Sequence, residues 1–305
     1  MRRILEGWLP TVVLAAAMAV YVVGCSTVTQ VGTSIGQAAG VLTPQQAQSI
    51  NKSEQALEKT FQDITPEQEY YIGRSVAATV LSKYKVYDNE AANRYLNVIG
   101  QTLAQASDKP ETFGGYHFVL MNTDEINAFS APGGLVMISR GMVRCCKNED
   151  ELAAVLAHEV GHVENQHGLR AIKKGRLTSA LTTIALEAGK SLGGQELADV
   201  TQAFEGSITD ITGTLMNSGY ARSSEYQADE AAVTIMKRVG YNPAALVTML
   251  DHMKKNLKPG GTDFAKTHPP PDDRIVEVQK KIGTPKPVVE PPVRQQRFNQ
   301  AINGV

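Results

Sequence analysis

"ELAAVLAHEVGHVENQH", residues 151–167, decides how this chain is read. It is a helix by local signals. Asn148 suits the N-cap, and Glu149, Asp150 and Glu151 place negative charge at the positive end of the helix dipole. Gly168 stands where a C-terminal glycine is expected. An α-helix turns about 100° per residue, so His158 and His162 lie about 40° apart on one face, one turn apart along the axis. Both rings can reach one ion, and Glu159 flanks that ion without having to bind it. This HExxH spacing suits two neutral imidazoles holding zinc while the glutamate takes a proton from the attacking water. The alternative is a helix with two surface histidines. The run LAAVLAHEVGHV is apolar nearly all round, which predicts a buried helix. Burying these polar groups without a partner would be costly. Ala154, Ala157 and Gly161 fall in a narrow stripe, which predicts that another helix packs closely there.

Two candidates arise for a third ligand. His167 is nine residues past His158, roughly opposite it on a continuing helix. It also misses the HExxHxxGxxH pattern, because Asn165 and Gly168 stand where Gly and His are needed. A structural or surface role is expected for it. In "YARSSEYQADEAA", Glu225 and Asp229 are four apart and share a helix face. They read either as a solvated acidic pair or as a ligand, Glu225, with Asp229 orienting a zinc-bound histidine through its other ring nitrogen. The HExxH upstream favours the second reading.

The rest of the chain frames this centre. Its 305 residues, 42% of them hydrophobic, suffice for one large domain with tails. A net charge of −1, no basic block and few aromatics exclude a nucleic-acid partner from the expectations. Arg2 and Arg3, an apolar run from Thr11 to Val23 and then Gly24 and Cys25 read as a signal peptide, residues 1–24. "VVGC" resembles the lipobox of bacterial lipoproteins. That resemblance implies lipidation of Cys25 and a lipid-anchored protein of the bacterial cell envelope. Ser26 after the cysteine resembles sorting to the periplasmic face of the outer membrane. An uncleaved anchor is the alternative. Residues 25–60 read as a polar tether, with a helix possible from Thr43 onward. Thr65, Pro66 and Gln68 form a capping-box start for the next helix. Leu96, Ile99 and Leu103 mark a second. YHFVLMN and Leu135–Ser139 read as strands, separated by a Pro-Gly-Gly break at 132–134. Residues 171–218, rich in small residues, look helical and suited to cover or gate a site. Further helices are expected over SSEYQADEAAVTIMKRVG and NPAALVTMLDHMKKNL. Cys145 and Cys146 read as small buried residues, since a disulfide between neighbours is strained. Residues 284–305 read as a proline-rich, extended tail.

Taken together, HEVGH, RSSEYQAD about sixty residues on, THPPPDDRI, and INAFSAPGGLVMISRGM before the helix resemble the gluzincin-type zinc metallopeptidases that include HtpX, BepA, LoiP and the CAAX prenyl endopeptidase. The resemblance covers residues 61–283, expected to be the metallopeptidase domain. It implies an α+β, mostly helical zincin-like fold with a small antiparallel sheet beside the active-site helix. It implies one Zn2+ per chain held by His158, His162 and Glu225, with Glu159 as general base and Asp229 behind the ligands. Gly134, Leu135, Val136 and Met137 would form an edge strand to which a peptide substrate adds. His268 would cap the metal or stabilise the oxyanion, its alternative being a loop histidine beside prolines. Arg274 matches a family arginine, with a structural salt bridge as the alternative. Protein or peptide substrates, misfolded or unassembled envelope proteins among them, follow from the same resemblance. The chain lacks the multiple apolar segments of HtpX and the helical repeats of BepA. The alternative function is a chaperone or assembly factor for outer-membrane proteins with a gated site.

Overall fold

The computed structural model describes residues 64–171, 212–256, 268–283 and 291–305. The signal peptide, Cys25, the tether and most of the 171–218 segment lie outside these residues. The described residues belong to one compact unit, Ile64–Val305. No helix among them is long and apolar enough to cross a membrane.

Helix α1 (Pro66–Tyr84) starts as its capping box requires: Thr65 accepts from the Gln68 N–H and Gln68 accepts from the Thr65 N–H. Helix α2 (Glu90–Gln105) buries Leu96, Ile99 and Leu103 along one stripe. Three strands follow, β1 (His117–Met121), β2 (Ala128–Ala131) and β3 (Leu135–Ser139). The sheet is small, as expected, but mixed rather than wholly antiparallel, in the order β1-β3-β2. β2 and β3 form an antiparallel hairpin through the Pro-Gly-Gly turn, where Gly133 and Gly134 take φ of 77° and 94°. β1 pairs in parallel with β3.

Alternation places Phe118, Leu120, Ala128, Val136 and Ile138 in the larger core, with α2 and the helices beyond. Val119, Met121, Phe129, Ala131 and Met137 face the other way, into a second cluster with Ile72, Val76 and Val80 of α1. The sheet is thus a middle layer between α1 and the helical bulk.

A short helix α3 (Arg140–Cys145) leads to α4 (Glu149–Glu164), the HExxH helix. Every residue of α4 from Glu149 to Val163 is buried. Asn148 caps it, accepting from the Glu151 N–H at 2.9 Å. Each acid of its first turn is claimed by other elements. Glu149 accepts from Tyr95, Tyr241 and Arg297. Asp150 accepts from the Asn242 N–H and from Arg294. Glu151 accepts from Thr248 and pairs with His252. At the other end α4 stops at Glu164, and Gly168 is not its terminator. Gly168 instead lies inside the short helix α5 (His167–Arg170), close against the Pro132 ring.

After a π-helical turn at Thr214–Ser218 come α6 (Arg222–Val239), ended by Gly240 at φ 78°, α7 (Ala245–Asn256), α8 (Pro271–Ile282) and α9 (Pro292–Ala301). α6 lies along α4. The small-residue stripe explains why: a Cβ on Gly161 would sit 2.9 Å from the Ala228 carbonyl oxygen and 3.0 Å from the Ala231 Cβ. The proline-rich tail departs from its expected extended form. Pro292 starts α9, where a missing N–H costs nothing, and Phe298 is 2% exposed in the core. Cys145 and Cys146 are free and buried, as expected of small residues that cannot easily pair with each other, and burial pushes both thiols up.

Candidate metal centre

Because α4 keeps its 3.6-residue period through residue 164, His158 and His162 stack one turn apart, with their Nε2 atoms 3.1 Å from each other. Helix α6 brings Glu225 to the same point. Its Oε2 is 3.5 Å from His158 Nε2 and its Oε1 is 3.5 Å from His162 Nε2. His268, just before α8, places Nε2 3.7 Å from Glu225 Oε2. The donor atoms of these four residues all lie within 4.8 Å of one another.

This group fits a single cation. Glu225 is fully buried, yet among the described residues neither of its carboxylate oxygens accepts a hydrogen bond. The nearest guanidinium nitrogen, Arg274 Nη1, is 3.9 Å from Oε2, an ion-pair distance beyond hydrogen-bond reach, so a cation held directly between the carboxylate and the two rings would complete it. Tetrahedral donors at about 2.0–2.1 Å from a zinc ion stand about 3.3 Å apart, and the three closest separations here are 3.1, 3.5 and 3.5 Å. Two imidazoles and one carboxylate form the donor set of a catalytic site rather than an all-thiolate structural one.

The carboxylate of Asp229, one turn beyond Glu225, lies 2.9 Å from His158 Nδ1. Arg274 of α8 donates to both Asp229 oxygens at 2.6 and 2.9 Å, so the arginine salt bridge is present and closes on this centre. Burial opposes charge on Asp229, but the Arg274 guanidinium and His158 outweigh it and hold the carboxyl down at about 2. At His158, burial and Arg274 act against the imidazolium, and Asp229 and Glu225 overcome both, raising it to about 9. Burial and the charge on His158 push His162 well below the usual histidine range.

Glu159 is 2% exposed, and its Oε1 accepts no hydrogen bond among the described residues. Burial raises its carboxyl above the usual range, opposed in part by His158. Strand β2 packs on α4.

The substrate-strand expectation is corrected. β3 is the central strand: Leu135, Val136 and Met137 pair with β1 on one side and β2 on the other, and Gly134 lies in the turn. A strand hydrogen-bonded on both sides cannot accept a peptide. The free edge nearest α4, among the described residues, is that of β2, Ala128–Ala131.

Of the structural or surface role expected for His167, the structure excludes the second: the residue is buried, and it does not lie opposite His158. At 1% exposure, its Nδ1 lies 2.8 Å from His162 Nδ1, and its Nε2 lies 3.0 Å from Gln227 Oε1. The helix does not continue past Asn165. Gln166 takes φ 54°, ψ 35°, a left-handed turn that swings His167 back beneath His162. Tyr220, not singled out in the sequence, stacks on His162 at 4.5 Å between centroids. Gln227 stands two residues from both Glu225 and Asp229, off the face they share, so neither it nor the turn at Gln166 had a legible signal.

The sequence profile of Peptidase family M48 matches residues 90–282, which contain every donor above. Among curated proteins, the "Beta-barrel assembly-enhancing protease" of Escherichia coli (strain K12) is 27% identical over 231 residues, 73% of this chain and 45% of that protein. "Mitochondrial metalloendopeptidase OMA1" of Schizosaccharomyces pombe is 31% identical over 160 residues, 50% of this chain and 43% of the relative. "Metalloprotease LoiP" of Escherichia coli (strain K12) is 24% identical over 159 residues, 52% of this chain and 60% of the relative. The chain thus spans less than half of the first of these. With a profile match over more than half of its length, and the donors of that match gathered at one point, the chain belongs to peptidase family M48.

Proposed function

We propose that this chain is a zinc-dependent metalloendopeptidase that hydrolyses peptide bonds of envelope proteins. The observation that carries the reading is the buried Glu225 carboxylate, aimed without a hydrogen bond at two imidazoles one turn apart, with Glu159 next to the first of them. His158, His162 and Glu225 would hold one zinc ion, which when bound would supply Lewis-acid chemistry for the scissile carbonyl and the attacking water. Glu159 accepts the proton of the attacking water and returns it to the leaving amine. Its buried setting, with a raised proton affinity, suits a group that must both take and give a proton. Asp229 and Arg274 hold the His158 ring in place. A substrate strand adds to the outer edge of β2, which runs beside α4.

Residues 1–25 support anchoring by a lipid on Cys25, and Ser26 supports the periplasmic face of the outer membrane. The name of the assembly-enhancing relative supports misfolded or unassembled envelope proteins as substrates.

The purified full chain is expected to cleave casein, to stop with a zinc chelator and to recover on adding zinc. Glu159→Gln is expected to keep one zinc per chain and lose about 10²–10⁴-fold in rate. His162→Ala is expected to lose the metal. Proteolysis retained in Glu159→Gln overturns the assignment of the base.

The nearness of His268 to the donors favours a second reading, in which the site rests closed and the chain serves mainly in assembly. A strain lacking the protein, complemented with Glu159→Gln, separates the two. Full rescue supports the assembly role, and failure to rescue supports the peptidase.

A further inference from the structure

A metal-binding imidazole gives one ring nitrogen to the ion and carries its proton on the other. Whatever accepts that proton fixes the ring. His158 has Asp229 for this purpose. For His162 the neighbouring atom is the Nδ1 of His167, 2.8 Å from its own Nδ1.

Only one of those two nitrogens can carry a proton. His162 Nε2 lies among the donors, 3.1 Å from His158 Nε2 and 3.5 Å from Glu225 Oε1, so it must offer its lone pair. The His162 proton therefore sits on Nδ1, and His167 Nδ1 accepts it. A neutral His167 then carries its own proton on Nε2, which is 3.0 Å from Gln227 Oε1. Each donor meets an acceptor along the whole line. The reverse order would point two N–H groups at each other across 2.8 Å.

We propose that His167 and Gln227 form an orienting relay in which His167 accepts the His162 Nδ1 proton and Gln227 locks the His167 tautomer, fixing His162 as a metal ligand. The proposal rests on the metal-centre reading above. His167 is a positioning residue in this scheme and touches neither metal nor substrate.

Two further observations support it. The left-handed backbone at Gln166 is uncommon for a residue with a Cβ, and its effect is to place His167 here. Tyr220 stacks on His162 and leans over His167 at 5.8 Å, holding both rings. Helix α6 then sets the whole centre: it supplies the donor Glu225, the partner of His158 in Asp229, and the outer end of the His162 relay in Gln227. The two ligands are held unequally, one by a carboxylate and one by a neutral chain. That chain ends at a cleft of about 270 Å³, lined by Gln227 with Glu164, Glu230 and Arg238.

The test is zinc affinity of the full chain, measured by competition with a chelator, with unfolding of the metal-free protein followed in parallel. His167→Leu removes the acceptor and is expected to weaken zinc binding about 10- to 100-fold. In His167→Asn the side-chain oxygen occupies the place of Nδ1, so affinity is expected to stay within about threefold of wild type. Gln227→Lys, a donor-only side chain at an exposed position, is expected to weaken binding about tenfold with metal-free unfolding unchanged. Wild-type affinity in His167→Leu, or an Asn variant as weak as Leu, overturns the relay. If His167→Leu does not fold, unchanged affinity in Gln227→Lys overturns it. Absence of zinc binding by the wild type overturns the metal centre itself, and the relay with it.

Discussion

Substituting Gly161 tests whether the distance between α4 and α6 sets the centre. A Cβ there would stand 2.9 Å from the Ala228 carbonyl oxygen, 3.0 Å from the Ala231 Cβ and 3.1 Å from the Ala228 Cα. These are backbone and first side-chain atoms, so no flexible group can move aside. α6 itself must retreat by a few tenths of an ångström. Overpacking of this kind costs roughly 1–3 kcal/mol. Replacing a mid-helix glycine by alanine returns about 0.8–1 kcal/mol of helix propensity. Gly161→Ala should therefore lose about 1 kcal/mol net. Gly161→Val adds two more methyl groups with less propensity relief, and should lose about 3 kcal/mol. The effect on metal should exceed the effect on the metal-free fold, because Ala228 is one turn from Glu225, whose oxygens stand 3.5 Å from both histidines. Denaturant unfolding in the presence of chelator gives the first quantity, and zinc competition gives the second. A Gly161→Val protein with wild-type stability and wild-type zinc affinity would refute the packing argument.

Two other perturbations probe the ends of the molecule. Glu149 is buried, which pushes its carboxyl up, but Arg297, Tyr95 and Tyr241 outweigh that and hold it below the usual carboxylate range. The unfolded chain takes up this proton near pH 4.3, before the native protein does, so the stabilisation is complete above about pH 5 and fades as pH falls below that point. The gap in unfolding midpoint between wild type and Glu149→Gln should narrow from about pH 5 to pH 3; a gap constant over that range counts against the assignment. Cys25→Ser should shift the protein from the membrane to the soluble fraction of the cell envelope and abolish incorporation of labelled fatty acid. Unchanged incorporation rules Cys25 out.

The centre was legible where local periodicity controlled it. His158, Glu159 and His162 follow from one helix turn, and Glu225 and Asp229 from a second, so a helical reading of each segment placed them correctly. What was not legible depends on the chain leaving its regular path. His167 was projected along a helix that in fact ends at Asn165, and nothing about a glutamine at 166 announces a left-handed turn. The sheet failed for a different reason. A strand was legible at Leu135–Ser139, but its edge position came only from the resemblance, and the order β1-β3-β2 is decided by pairing between segments. β3 therefore passed for an edge when it is the centre. In the tail, proline density suggested extension, yet Pro292 sits at the one helical position that tolerates it, and the buried Phe298 anchors the helix behind it.

Helix α9 has a consequence for the order in which the molecule matures. Its Arg294 and Arg297 grip Asp150 and Glu149 at the head of the HExxH helix. During translation those arginines emerge after His158, His162, Glu225 and His268 are already exposed. A nascent chain thus owns a full set of ligands before it owns the clasp that seats the helix bearing two of them, and docking of α9 is the step that completes the support for that helix.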